Sequence, residues 1–261
     1  MDLGLHGVPA AVGGASRGLG YAIAHELARE GARVAICSRS REAIEPAAAA
    51  IAEATGAEVV PVVADMADPE GPATFVSAAA AAFGGLQVIV ANSGGPPPST
   101  ASDFDSAAWT RALNGNLVGS VRLATSALPH LRRQPWGRIL FLTSLAVKQP
   151  IPTLPLSNAA RSGLTAYAKS LSYEVAHQGI TVNCLMPGFI LTDRIRSLTG
   201  APPGADLDDP AIAAAAADIP AGRVGLPEEF GAVAAFLCSA RASYVTGSSI
   251  QVDGGMSRGL L

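Results

Sequence analysis

Gly13-Gly14-Ala15-Ser16-Arg17-Gly18-Leu19-Gly20 follows a short apolar run at residues 8–12. It opens an amphipathic pattern with Leu19, Ile23 and Leu27 on one helical face. The order is therefore strand, glycine turn, helix start. Glycine lets the backbone bend tightly and approach a ligand, because no Cβ stands in the way. The open N–H groups and the dipole of a helix start favour a phosphate. The spacing from Gly14 through Gly18 to Gly20 is G-x-x-x-G-x-G, which differs from the common G-x-G-x-x-G dinucleotide fingerprint. A lone glycine motif reads better as a structural turn; segments further along the chain decide for a ligand.

The chain has 261 residues, in which alanine-rich helical stretches alternate with short Val/Ile runs. No Pro/Ser/Gly linker or charge block divides it, so residues 1–261 are expected to form one α/β domain. Net charge is −3, and Lys and Arg form no long cluster, which argues against a nucleic-acid surface. Every apolar run is broken well before the roughly 18 residues of a membrane span. Residues 1–9 show no secretion signal. Cys37, Cys184 and Cys238 are far apart and have no metal-ligand spacing, so no metal is expected. They read as small core residues in a reducing cytoplasm. His6, His25, His130 and His177 are isolated and read as surface or packing residues.

Several downstream segments, taken with the glycine turn, resemble the short-chain dehydrogenase/reductase (SDR) family. The turn matches its TGxxxGxG, with Gly13 in place of Thr. Asn92-Ser93-Gly94-Gly95 is similar to NNAG, with Ser93 in place of the second Asn. Asn116-Leu117 matches the N-L signature, Thr143-Ser144 the serine segment, and Pro187-Gly188-Phe189-Ile190-Leu191-Thr192 the PG-x-I-x-T segment. Residues 222–229 and Asp253-Gly254-Gly255 resemble bacterial 3-oxoacyl-ACP reductases. The resemblance implies a Rossmann-type doubly wound parallel sheet of about seven strands. It also implies a cofactor-binding set of Gly14, Ser16, Arg17, Gly18, Leu19, Gly20, Ser38, Arg39, Asp65, Met66, Asn92, Ser93, Gly94, Arg161, Pro187, Gly188, Ile190 and Thr192. Within that set Asp65 and Met66 would hold adenine, Asn92 would stabilise the sheet, and Ile190 and Thr192 would meet the nicotinamide carboxamide.

The residues themselves speak to the cofactor's form. In a dinucleotide fold the end of the second strand, expected at residues 33–37, meets the adenosine ribose. An acid there binds the 2′-hydroxyl and repels a 2′-phosphate. Here Ser38-Arg39 follows, and Arg17 lies in the glycine turn. Two guanidiniums without an acid favour NADP(H), because arginine grips phosphate through forked, charge-assisted bonds. The alternative is that both arginines are solvated surface residues.

The pattern breaks where the family has Y-x-x-x-K. The aligned segment is Ser157-Asn158-Ala159-Ala160-Arg161, so Ser157 stands for Tyr and Arg161 for Lys. Tyr167 and Lys169 are too close together to restore the spacing. Arg161 keeps a positive charge and donors for ribose hydroxyls, whereas a serine hydroxyl is a poor proton donor at neutral pH. Lys148, four residues after Ser144, is a compensating cation or donor, or else an exposed loop lysine; Thr153 and Asn158 are weaker candidates. The expected catalytic set is Asn116, Ser144, Ser157, Arg161 and Lys148. The resemblance gives Ser144 the substrate carbonyl and Asn116 a water of the proton relay.

Residues 193–220, with Pro202-Pro203-Gly204 and an alanine-rich helix, stand where the family keeps its substrate lid, and read as a mobile segment of low packing demand. The expected function is reduction of a C=O, conjugated C=C or C=N in a small apolar substrate, at the expense of NADPH. The alternatives are a non-redox dehydratase or isomerase, and a cofactor sensor without turnover. The family also implies a homotetramer, with a dimer as the alternative, in the cytoplasm.

Overall fold

The computed structural model describes residues 1–103 and 105–259. Seven strands form one parallel sheet in the order β3-β2-β1-β4-β5-β6-β7. They are β1 (Pro9–Val12), β2 (Arg33–Ser38), β3 (Val59–Val63), β4 (Val88–Ala91), β5 (Gly137–Leu142), β6 (Ile180–Pro187) and β7 (Ser249–Val252). The chain order turns back at β1, which pairs with both β2 and β4. The crevice beyond the carboxyl ends of β1 and β4 is where ligands bind in such sheets.

Both faces of the sheet are covered, which is why its strands are apolar at successive positions. Alternation assigns the side chains to the two faces. Ala10, Val12, Val88 and Val90 point into one core, Ala11, Ile89 and Ala91 into the other. The first core is closed by α1 (Gly18–Arg29), α2 (Arg41–Thr55) and α9 (Pro227–Leu237), through Ile23, Leu27, Ile44 and Phe230. The second is closed by α3 (Gly71–Phe83), α5 (Gly119–Leu131) and α6 (Pro155–Val175), through Phe75, Leu123 and Leu164. Cys37, Cys184 and Cys238 are buried, free thiols. Burial pushes them up to about 12, 11 and 12, so they stay protonated.

Three features bear on the site. The helix carrying Asn116 is not continuous: α4 (Ser106–Leu113) passes through a π-helical turn (Asn114–Val118) into α5. The wider turn buries Asn116, and Gly119 beyond it packs on the Met66 carbonyl where any Cβ would collide. Strand β6 runs past Cys184 to Pro187, because its pairing with β7 continues to Pro187 and Val252. Residues 193–220 are not loosely packed. They include α7 (Asp193–Thr199) and α8 (Pro210–Ala216), and Ile195, Ala201, Ile212, Ala216 and Ile219 form an apolar cluster with Val224. Among the described residues no helix is long and apolar enough to cross a membrane.

A tight packing constraint within the glycine turn is at Gly20. A Cβ there would collide with the Gly14 carbonyl oxygen and stand 2.7 Å from Asn92 Nδ2. Gly20→Ala is expected to cost about 1–3 kcal/mol of unfolding free energy, the range for overpacking. Urea denaturation reads this directly, and an unshifted midpoint would mean that the turn relaxes freely.

Candidate functional site

The glycine turn is built from strand ends. Gly13 N–H donates to Val90 O (2.9 Å) and Ala15 N–H to Cys37 O (2.9 Å), so the turn is tied to β4 and β2. Gly14 and Gly18 take φ of +55° and +63°, which other residues adopt only with strain. The Asn92 side-chain amide at the end of β4 donates to the carbonyls of Gly13 (3.2 Å) and Gly14 (2.9 Å). Arg17 precedes α1 in extended conformation, and no side chain caps the helix. The first N–H groups of α1 are thus left to the crevice.

On the ribose side, Ser38 donates to Ser40 O (2.9 Å) and Arg39 is exposed. Arg17 does not sit beside them: its guanidinium lies 3.6 Å from Asp193 at the start of α7. Asp65, just past β3, accepts the N–H of Ala67 (2.9 Å), while Met66 is buried. On the opposite side, β6 ends at Pro187, and Gly188 is packed against Asp253. Ile190 is buried and bridged to Gly225, and Thr192 donates to Ile190 O (3.2 Å). Thr192 also lines the glycine turn, 3.8 Å from where a Cβ on Gly18 would stand.

Between these two sides lies a buried polar cluster. Arg161, on the inner face of α6, is 8% exposed. Its guanidinium donates to Leu142 O (2.6 Å), to Asn116 Oδ1 (3.1 Å) and, at 3.5 Å, to Ser93 O. Ser93 Oγ also donates to Asn116 Oδ1 (3.3 Å), and Asn116 Nδ2 donates to Ala112 O (3.2 Å). Burial, and then the charge of Arg194, pushes Arg161 down to about 10, which still leaves it charged at neutral pH. The sequence motifs thus bring Ser93, Asn116 and Arg161 into one network, although they are far apart in the chain.

Ser144 follows β5 half-buried, and its Oγ accepts the N–H of Ala146 (3.1 Å). That bond uses an acceptor position and leaves the hydroxyl proton free to donate. Ser157 is buried on α6, one turn before Arg161, and its hydroxyl makes no hydrogen bond to the described residues. Lys148 is exposed at the end of a short 3₁₀ turn, Leu145–Val147. Asn158 donates to Ile151 O (2.9 Å), pinning the intervening loop, and Thr153 is exposed in it. Tyr167 stacks edge-on against Phe141 in the second core, and burial followed by Glu174 raises its pKa. Lys169 donates to Gly247 O (3.0 Å) on the far side of α6. Neither replaces the Tyr–Lys pair.

Sequence reasoning passes over Arg194, because an arginine two residues beyond Thr192 belongs to no motif. Its Nη2 donates to Pro96 O (2.7 Å), joining α7 to the loop after β4. Burial lowers its pKa. Among the described residues no group of His, Cys, Asp and Glu is arranged to hold a metal.

The profile of the family described as enoyl-(acyl carrier protein) reductase matches residues 14–257. The chain is 34% identical to the 3-oxoacyl-(acyl-carrier-protein) reductase FabG of Escherichia coli, over 97% of this chain and 99% of that protein. Among solved structures it is similar to L-sorbose reductase from Gluconobacter frateurii, complexed with NADPH and L-sorbose. That match has a TM-score of 0.91 and 32% identity, and covers 100% of both chains. It is also similar to a short-chain oxidoreductase from Pseudomonas aeruginosa described as containing an atypical catalytic centre. There the TM-score is 0.90 and the identity 31%, over 99% of this chain and 100% of that one. With its seven-stranded parallel sheet, the chain belongs to the short-chain dehydrogenase/reductase family and is an oxidoreductase of that type.

Proposed function

We propose that the chain is an NADPH-dependent reductase working without the Tyr–Lys pair. Its acceptor would be a C=O, conjugated C=C or C=N in a small, largely apolar molecule. The observation that carries this reading is the buried Arg161 cluster beside Ser144: a fixed positive charge and a free hydroxyl proton at the carboxyl end of β5. The chain's residues fit the cofactor. The glycine turn has the bare backbone of a pyrophosphate cradle, α1 has no side-chain cap, and Arg39 is exposed after β2. Bound there, NADPH would supply the hydride. Arg39 would hold the 2′-phosphate, with Arg17 swinging from Asp193 to join it. Ile190 and Thr192 would orient the nicotinamide end.

The remaining roles belong to the chain. Ser144 would donate to the acceptor atom and polarise the bond. Arg161 would bind ribose hydroxyls and place positive charge where negative charge develops. Asn116 spends its side-chain oxygen on Arg161 and Ser93, so its part is to hold the guanidinium. Ser157 adds little acid–base help, since its hydroxyl is a weak acid. Lys148 is exposed near the mouth, a secondary proton source. The packed segment 193–220 would act as the lid, moving as a unit on its own apolar cluster.

NADPH is expected to bind at least about tenfold more tightly than NADH, about 1.4 kcal/mol. Arg39→Asp should abolish or reverse that preference, and equal affinities in calorimetry would remove the argument from the two arginines.

A homotetramer is expected, built through the outer face of α6 and through α9 with β7. Ala166 and Tyr173 are exposed there on α6, as is Phe236 on α9. Light scattering at micromolar concentration checks this, and a monomer would refute it.

Ser157→Ala should cost less than about a hundredfold in turnover, the low end for acid–base help. Arg161→Ala and Ser144→Ala should each cost more. Stereospecific deuteride transfer from labelled NADPH to product would support the reductase. Turnover with unchanged cofactor would point to a non-redox enzyme, and tight NADPH binding without turnover to a sensor. If Ser157→Ala proves as damaging as Ser144→Ala, Ser157 is a proton donor after all.

A further inference from the structure

Several charges around the mouth of the site are matched. Arg17 and Arg196 share Asp193, and Arg223 is paired with Glu229. Arg39 and Lys148 are unpaired but exposed to water, whereas Arg194 and Arg161 are withdrawn from it and still have no ion-pair partner among the described residues. Arg194 is close enough for its charge to act on Arg161. Two neighbouring guanidiniums, one buried and one half-buried, cost free energy unless something supplies the opposite charge. Ionisable groups left in that condition cluster where a ligand completes the arrangement.

Arg194 is held in a way that suits a ligand. Among the described residues its one hydrogen-bond acceptor is the neutral Pro96 carbonyl, so most of its planar fork of donors is left over. The space beside it is kept open by glycine. The Arg194 guanidinium lies 3.7–3.8 Å from where a Cβ on Gly95 would stand, and a Cβ on Gly94 would meet nothing within 4 Å. A carboxylate accepts such a fork through paired, charge-assisted bonds.

The direction of the side chain distinguishes this site from the one expected for the cofactor's phosphates. Arg39 stands at the end of β2 and Arg17 reaches Asp193 from the glycine turn, whereas Arg194 turns to Pro96 in the loop after β4. Arg161, its neighbour, rests on the carbonyl of Leu142, two residues before Ser144. From this arrangement we infer that the substrate is a carboxylate-bearing carbonyl compound or its enone or imine counterpart. Arg194 grips its carboxylate at the Gly94–Pro96 loop and so presents the reducible bond to Ser144. This rests on the reductase reading for the reaction, but the anion site itself is tested by binding alone.

The probes are acetoacetate, 2-oxobutanoate and levulinate, each beside its methyl ester, titrated by calorimetry into the enzyme–NADP⁺ complex. The wild type is expected to bind at least one acid about tenfold or more tightly than its ester. In Arg194→Met that ratio should fall to about one, and Arg194→Lys should recover part of it, since it keeps the charge but loses the fork. Affinity for NADPH in Arg194→Met should stay within about threefold of wild type, which also shows that the variant is folded. Equal binding of acid and ester by the wild type, binding of neither, or an acid preference that survives Arg194→Met would each overturn the inference. So would a loss of NADPH affinity beyond about tenfold, because the counter-ion would then be the cofactor's phosphates. Turnover in the same mixtures reports separately on the reductase reading: acid-selective binding without NADPH consumption leaves the anion site standing and removes the reductase.

Discussion

The amide of Asn92 is the point on which the site's geometry turns. It donates to the carbonyls of Gly13 and Gly14, so the end of β4 holds the turn that follows β1. Those carbonyls belong to a backbone with a left-handed residue at Gly14, where a β-sheet ladder cannot satisfy them. An aspartate could not do this, because the bonds require donors. Gly20 completes the joint by letting α1 lie against both the Gly14 carbonyl and the Asn92 amide. One side chain thereby aligns the uncapped N-terminus of α1 with the carboxyl ends of β1 and β4. The crevice in which the two sides of the site meet is the result.

The strands were legible because periodicity and burial coincide in a sheet covered on both faces. Runs such as Val88–Ala91 can hardly be anything but buried strand, and β2, expected at residues 33–37, ends one residue later at Ser38. Motifs that act through the backbone were legible for a similar reason: a glycine at Gly14, Gly18 or Gly20 has a conformational cause that sequence alone reveals. The π-helical turn at Asn114–Val118 left no trace, since its residues are acceptable in any helix. The cluster under residues 193–220 was hidden too. The alanine-rich helix there is legible, but only packing shows Ile195, Ile212 and Ile219 sharing one core.

Long charged side chains were the least legible. Arg17 sits in a motif, yet its guanidinium is drawn to Asp193, which it shares with Arg196, because a flexible exposed side chain goes to a nearby opposite charge. That contact is weak in water, so a phosphate at the ribose site can compete for Arg17. Arg194 belongs to no motif but is held by a carbonyl across the mouth. Sequence sets the position of a Cα well and the destination of such a side chain poorly.

An arginine at position 161, where the resemblance implies a lysine, would change more than a name. An ammonium is a compact charge with rotatable donors, whereas a guanidinium is a rigid plane. Arg161 uses that plane to reach Leu142 O, Ser93 O and Asn116 Oδ1 together, and its acceptors come from β5, the loop after β4 and the π-helical turn. Asn116 Oδ1, which a relay water would otherwise use, is occupied by direct bonds from Arg161 and Ser93. A cation so held gives up no proton at neutral pH, even with its pKa pushed down to about 10. Its contribution is therefore a fixed field, and a field stabilises developing negative charge without supplying a proton. On the proposed reading, a site of this kind would suit acceptors whose reduced form can wait for a proton from water or from the substrate itself. On the same reading, that would be the physical reason for a serine at position 157 to go with a guanidinium at position 161.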